Sequence, residues 1–161
     1  MERPANPKYR KSQRKSRDTK NLQTRTHRLS FGCYGLKALE GMNMKASQME
    51  AFRRVLVRRT RKFGRVFIRT FPYKPISGKP TKTRMGKGKG SVQFWVCPVK
   101  PGQILFEVAG AIPADALKEL LKKASKKLPM RTKFITYNSS AASLDKPPAN
   151  GTLATGAAHI L

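Results

Sequence analysis

The heptapeptide Arg84-Met85-Gly86-Lys87-Gly88-Lys89-Gly90 sets glycine at alternate positions among cations, with no carboxylate nearby. Glycine brings backbone freedom, including positive φ and close approach to a neighbouring molecule, while Arg and Lys bring charge. The chemistry this permits is phosphate binding by an arm. A nucleotide-cofactor loop does not fit, because a Walker loop needs four residues between its glycines, then Lys followed by Ser or Thr, between a strand and a helix. The dinucleotide fingerprint fails as well, for want of a further glycine at the correct offset. Acid–base catalysis is poorly provided for: Glu107 is the only carboxylate in the predicted sheet and reads as a strand-edge salt-bridge partner, and neither His27 nor His159 lies in a motif. Cys33 and Cys97 lack a metal-ligand spacing and an evident histidine base, so they read as small core residues or incidental thiols in a reducing compartment. Met42, Met44 and Met49 read as helix-packing residues rather than metal ligands. No catalytic residue, metal or cofactor is expected.

Charge over the whole chain points the same way. Against 8 Asp plus Glu stand 35 Lys plus Arg in 161 residues, a formal net charge of +27. Self-repulsion on that scale opposes compaction unless a polyanion neutralises it and releases counterions, so nucleic acid is the expected partner. Between Glu50 and Glu107 there are fifteen Lys or Arg and no acid, so the middle of the chain must meet the polyanion. Two further groups join the heptapeptide as candidate contacts. Lys8, Arg10, Lys11 and Arg14 lie in an extended basic arm over residues 1–28, where few apolar residues could pack and order is expected only on binding. Tyr9, in that arm, is available to stack on a base or sugar. Arg53, Arg54 and then Arg58 lie on the cationic face of a helix that has no acid after Glu50.

These groups need a small body to hold them. Leu29 to Leu39 mixes β-formers with two glycines and predicts a short strand with a bulge or a close backbone approach. Met49, Phe52, Val55, Leu56 and Phe63 share a helical face, and Gly64 is expected to stop that helix. Arg65 to Phe71 reads as a strand that packs with it. The span from Pro72 to Ser91 has three prolines and basic, glycine-rich sequence, hence little means of forming regular structure; a loop that long is usually functional or disordered. Val92 to Val99 reads as a buried strand whose Pro98 end lies near an edge, and after the Pro101-Gly102 turn Gln103 to Val108 is expected to complete an antiparallel hairpin with it. Pro113 opens a helix from Ala114 to Leu128 with Leu117, Leu120, Leu121, Ala124 and Leu128 inward and five lysines outward. Arg131 to Tyr137 alternates basic and apolar positions as a last strand. No apolar run approaches the roughly 20 residues of a membrane span.

Taken together, these segments resemble the large-subunit ribosomal protein L-sixteen family of bacteria and organelles. The resemblance rests on Leu29-Ser30-Phe31-Gly32-Cys33-Tyr34-Gly35-Leu36-Lys37-Ala38, Gln48-Met49-Glu50-Ala51-Phe52-Arg53-Arg54, Phe67-Ile68-Arg69-Thr70-Phe71-Pro72, and Gly78-Lys79-Pro80 leading into Arg84 to Gly90. Phe94-Trp95-Val96, Val99-Lys100-Pro101-Gly102, Ile104-Leu105-Phe106-Glu107 and Lys127 to Phe134 extend it, so that it covers roughly residues 7 to 135. It implies an α+β fold, an antiparallel sheet with two packed helices, without catalytic activity. It also implies a place on large-subunit rRNA near the aminoacyl-tRNA site and the peptidyl-transferase region, and a role in subunit assembly. By the same resemblance Arg84, Met85, Gly86, Lys87, Gly88, Lys89 and Gly90 become the tRNA-side loop, and Lys8, Arg10, Lys11 and Arg14 rRNA contacts. The chain departs from the family where Pro7-Lys8-Tyr9-Arg10-Lys11 is compressed and where Lys45 replaces the usual threonine at the first helix start, leaving Asn43 or Ser47 to cap a shifted start.

The expected organisation is a basic N-terminal arm over 1–28, an α+β domain over 29–137 that contains the 72–91 basic loop, and a C-terminal extension over 138–161. Expected partners are large-subunit rRNA, aminoacyl-site tRNA and neighbouring large-subunit proteins, with no membrane and no homo-oligomer. The short stretch ahead of the basic arm leaves little room for a cleavable transit sequence, which fits an organelle-encoded, processed or bacterial chain. The divergent arm and added tail favour a mitochondrial ribosome, with a plastid ribosome and the bacterial cytoplasm as alternatives. A free RNA chaperone or remodelling protein is the competing function.

Overall fold

The computed structural model describes residues 3–13, 21–86 and 88–137. Seven strands and two helices follow in the order β1 (Tyr34–Ala38), β2 (Met42–Lys45), α1 (Ala46–Thr60), β3 (Gly64–Ile68), β4 (Lys74–Gly78), β5 (Ser91–Val99), β6 (Ile104–Gly110), α2 (Ala114–Ser125) and β7 (Thr132–Thr136). The strands form two antiparallel sheets, one of order β3-β6-β1-β7 and one of order β2-β5-β4. The α+β class is therefore as the sequence implies.

Helix α1 buries Met49, Phe52, Leu56 and Thr60, spaced three or four apart on one face. Phe52 stacks on Phe106 of β6 with centroids 4.1 Å apart, joining helix to sheet. Thr60 satisfies its hydroxyl on Leu56 O at 3.0 Å, so a polar residue closes the apolar stripe without an orphan group. The helix starts after Lys45, whose backbone N–H donates to Gln48 Oε1 at 3.0 Å, so neither Asn43 nor Ser47 marks a shifted start. It ends at Thr60, ahead of Gly64, and the residue read as part of its apolar face, Phe63, is 64% exposed. Met44 serves the core from β2 rather than from a helix. Helix α2 buries Leu117, Leu121 and Ala124, with Leu128 buried past its end.

The bulge expected near the first strand is present, as the β1–β6 register slips between Leu36 and Lys37. Two other expectations are corrected. Residues 72–91 are not free of regular structure, since β4 pairs with β5 from Lys74↔Val96 to Gly78↔Ser91. An edge strand tolerates Pro75, because a missing N–H costs nothing on the side without a partner. Strands β5 and β6 form no hairpin and lie in different sheets. The Pro101-Gly102 turn binds the end of β1 instead: Gly102 N–H donates to Ala38 O and Ala38 N–H to Gln103 O, both at 2.8 Å. That turn passes the chain from one sheet to the other. Pro98 lies opposite Asn43 of β2 and beyond the last β4 pairing, so β5 is locally an edge there although it is central lower down.

Glu107 is also relocated. It lies on β6, which has neighbours on both sides, and is 0% exposed. Its Oε2 accepts the backbone N–H groups of Ser30, Phe31 and Gly32 at 3.1, 2.6 and 3.0 Å. The other oxygen is paired with the Arg69 guanidinium, which also lies 5.0 Å from the centre of the Phe31 ring. A buried carboxylate is tolerable when its lone pairs are filled in this way. It fixes the segment that leads from the N-terminal arm into β1. Upstream, Gln23 N–H donates to Pro101 O and Ile104 N–H to Thr26 O, both at 2.9 Å, so residues 21–28 are already fastened to the body.

Candidate nucleic-acid interface

Residues 3–13 carry Arg3, Lys8, Arg10 and Lys11, and the strands and loop of the three-stranded sheet add Lys45, Lys74, Lys79, Lys82, Arg84 and Lys89, with no carboxylate among any of them. This side of the molecule therefore presents one sign of charge. The acids among the described residues stand elsewhere: Glu107 inside the four-stranded sheet, Glu40 between β1 and β2 paired with Arg131, Glu50 on α1, and Glu119 with Asp115 on α2, the latter in the first turn where the helix dipole favours a negative group.

Arm and loop are joined. Lys11 Nζ donates to Lys89 O at 2.7 Å, and Lys89 Nζ donates back to Ser12 O at 2.7 Å. Ser12 Oγ reaches Pro75 O of β4 at 3.4 Å. Across the loop, Lys79 Nζ donates to Gly86 O at 2.7 Å. Gly86 and Gly88 hold positive φ of 97° and 82° in open space, which is where glycine's freedom is used. Gly90 has a different reason: a Cβ there would lie 2.3 Å from Gly78 O, so the loop base closes only without a side chain. The close approach is to the protein's own strand rather than to a partner. Arg84 and Met85 project outward, Met85 at 97% exposure.

The residues proposed from sequence thus fall into separate groups. Lys11, Gly86, Gly88, Lys89 and Gly90 come together with Arg84 and Met85 at the arm–loop junction. Lys8 and Arg10 are exposed on the same arm, the Lys8 ammonium 5.5 Å from the Tyr9 ring centre. Arg14 and Lys87 lie outside the described residues. Arg53 and Arg54 make a separate cluster, both bound to Glu50 at 2.7 and 3.0 Å, while Arg58 is exposed a turn further on. These bonds, the one from Arg53 foremost, hold the Glu50 carboxyl down to about 2 against the opposing effect of burial, and they raise Arg53 in turn. Both arginines keep faces toward solvent.

Sequence reasoning passed over Lys79, Ser12 and Lys45. A cleft of about 350 Å³ runs between Arg3 of the arm, Lys45, Ala46 and Ser47 at the start of α1, and Gln93, Phe94 and Trp95 of β5. The Lys45 ammonium lies 4.6 Å from the Phe94 ring centre, a favourable cation–π distance. The departure from threonine at position 45 was the one available signal. Among the described residues no group of three His, Cys, Asp or Glu could hold a metal ion, and no helix is long and apolar enough to cross a membrane.

A small α+β body, an acid-free sheet and two joined cationic extensions define a protein of the polyanion-binding structural class. The family model for ribosomal protein L16p/L10e matches residues 4–135, and the chain belongs to that family. It is 47% identical over 135 residues to the large ribosomal subunit protein uL16 of Christiangramia forsetii, an alignment spanning 84% of this chain and 95% of the relative. To the protein of that name from Chelativorans sp. it is 52% identical over 107 residues, 66% of this chain and 77% of the relative.

Proposed function

We propose that this ribosomal protein is a structural constituent of the large subunit, where it binds rRNA, takes part in assembly and helps form the aminoacyl-tRNA site near the peptidyl-transferase region. The observation that carries this reading is the joined arm and loop on an acid-free sheet, in a chain of this family. The body and arm meet rRNA through Lys8, Arg10, Arg14, Arg53, Arg54 and Arg58, with Lys11 on the same arm, and the segment Arg84 to Gly90 reaches toward tRNA. Phosphate recognition by such cations is a charge effect with counterion release, and Arg adds a planar fork that can take two phosphate oxygens. The role is positional, and we assign the chain no catalytic step, membrane contact or self-association. Its other neighbours are large-subunit proteins.

Large subunits from cells depleted of the protein are expected to be incomplete and slow in accommodating aminoacyl-tRNA; normal composition with normal accommodation would sink the proposal. Affinity for large-subunit rRNA should fall with salt at a logarithmic slope of about 0.7 to 0.9 per neutralised phosphate. Co-sedimentation with large subunits at moderate salt separates this role from that of a free RNA chaperone, which would be recovered only in the light fractions. We read the divergent arm and added tail of the sequence as favouring a mitochondrial ribosome, with a plastid ribosome and the bacterial cytoplasm as alternatives, and the two relatives above are bacterial. Mass spectrometry of ribosomes purified by compartment decides between them.

A further inference from the structure

We propose that the N-terminal arm and the glycine-rich loop act as one clasped unit, in which Lys11 and Lys89 position the two extensions and Arg84 is left to meet the polyanion. The inference deepens the ribosomal reading and rests on it for the identity of the polyanion. Its basis is the reciprocal geometry, because each lysine gives its ammonium to the other segment's backbone, Lys11 to Lys89 O and Lys89 to Ser12 O, across 78 and 77 residues of sequence. A lysine that merely faced phosphate would have no reason to reach back in this way.

Three further contacts make the junction a closed frame. Ser12 Oγ reaches Pro75 O of β4, tying the arm to the strand that begins the loop. Gly90 abuts Gly78 O, where no Cβ fits, which pins the end of the loop to the end of that strand. Lys79 Nζ holds Gly86 O, drawing the loop's middle toward its base. Three lysine ammoniums thus serve backbone carbonyls, while Arg84 stays exposed.

The clasp has an electrostatic consequence. It sets two ammonium-bearing segments side by side with no carboxylate in residues 3–13, in the loop or on β4, so repulsion between them works against closure in the free protein. Neutralisation by RNA phosphates removes that opposition, so RNA binding on the arm should order the loop and the reverse. Coupling of this kind must be reciprocal.

The test uses the full chain with Lys11→Met, Lys89→Met and the double variant, which keep side-chain length but remove the ammonium at exposed positions. In nuclear magnetic resonance spectra of the free protein, Lys89→Met is expected to shift the amides of Arg10 to Gln13, and Lys11→Met those of Gly86 to Gly90. Binding to purified large-subunit rRNA at fixed salt should weaken by the same factor, about fivefold, in either single variant and in the double. Absence of the reciprocal amide shifts overturns the clasp. Additive losses, with the salt slope falling by about 0.7 to 0.9 for each lysine removed, would make both lysines phosphate ligands and overturn their positioning role. If the unaltered protein bound no rRNA, the ribosomal reading would fail while the amide shifts still decided the clasp.

Discussion

Replacing Glu107 by Gln keeps the shape of a fully buried side chain and removes its charge. In the native protein one carboxylate oxygen takes three backbone N–H groups and the other faces Arg69, whose side chain is only 14% exposed. The variant leaves that guanidinium without a counter-charge and turns an amide NH₂ toward groups that need an acceptor. Breaking a buried pair from one side costs about 3–5 kcal/mol, and the residual solvent access of Arg69 argues for the lower end, about 3 kcal/mol. At about 2–4 °C per kcal/mol for a chain of this size, the midpoint of thermal unfolding should fall by about 6–12 °C. Circular dichroism melts at constant salt would measure it. A second arm gives the reasoning its specificity: Arg69→Met alone should also destabilise, and Arg69→Met with Glu107→Gln should lose clearly less than the sum, by more than about 1 kcal/mol. A fall below about 2 °C for Glu107→Gln, or strict additivity in the cycle, would refute the claim that this carboxylate locks residues 30–32 to β6.

Three further outcomes follow from the geometry. Because Arg53 and Arg54 depress the Glu50 carboxyl to about 2, its contribution is complete above the ordinary value of 4.5 and is lost as pH falls from about 5 toward 2. The loss should be small at a partly exposed site, well under about 1 kcal/mol, and comparison of acid titrations with Glu50→Gln isolates it, identical profiles counting against it. Burial pushes the Cys97 thiol up to about 11 while Cys33 is exposed, so iodoacetamide near pH 8 should label Cys33 in the folded protein and spare Cys97, as peptide mass mapping would show; equal labelling would contradict the burial. Gly90→Ala should perturb the β4–β5 pairing more than Gly86→Ala, because the first meets backbone at 2.3 Å and the second meets only torsional strain of about 1–2 kcal/mol. Amide shifts confined to the loop in both variants would show that reasoning to be wrong.

What could be read from the sequence was whatever repeats locally. The stripe of Met49, Phe52 and Leu56 and that of Leu117, Leu121 and Ala124 fixed two helices, and the core formed on them. β-former composition and alternation found β1, β3, β5, β6 and β7, and the two glycines within 29–39 signalled the bulge or close approach at β1, while β2 was read as helix packing; none of this carries information about which strands pair. A turn as short as Pro101-Gly102 normally returns a strand onto its predecessor, and here the hydrogen bonds of that turn go to Ala38 of β1, far away in sequence. Strand β4 was hidden because Lys74 to Gly78 has the prolines and glycines of a loop and gains its order from β5. The phosphate-binding groups were legible as charge. Their division into joined and outward-facing residues was not, since a lysine bound to a carbonyl and one awaiting a phosphate are the same letter.

That division bears on how so cationic a chain holds its shape. Among the described residues, Glu50 binds Arg53 and Arg54, Glu107 binds Arg69 and three backbone donors, and Glu40 meets Arg131 at 3.3 Å. These carboxylates stabilise the helix and the four-stranded sheet, while the apolar core spans both sheets, with Met44, Cys97 and Val99 supplied by the three-stranded one. Among the described residues the arm and loop are held instead by lysines that donate to backbone carbonyls of Ser12, Gly86 and Lys89, each satisfying a carbonyl without lowering the local charge. Neutralising acids on that side would steady the free protein and weaken its attraction for phosphate. Self-contained stability thus comes from the core shared by the two sheets and helices, and the arm and loop keep the unbalanced charge through which a polyanion can complete them.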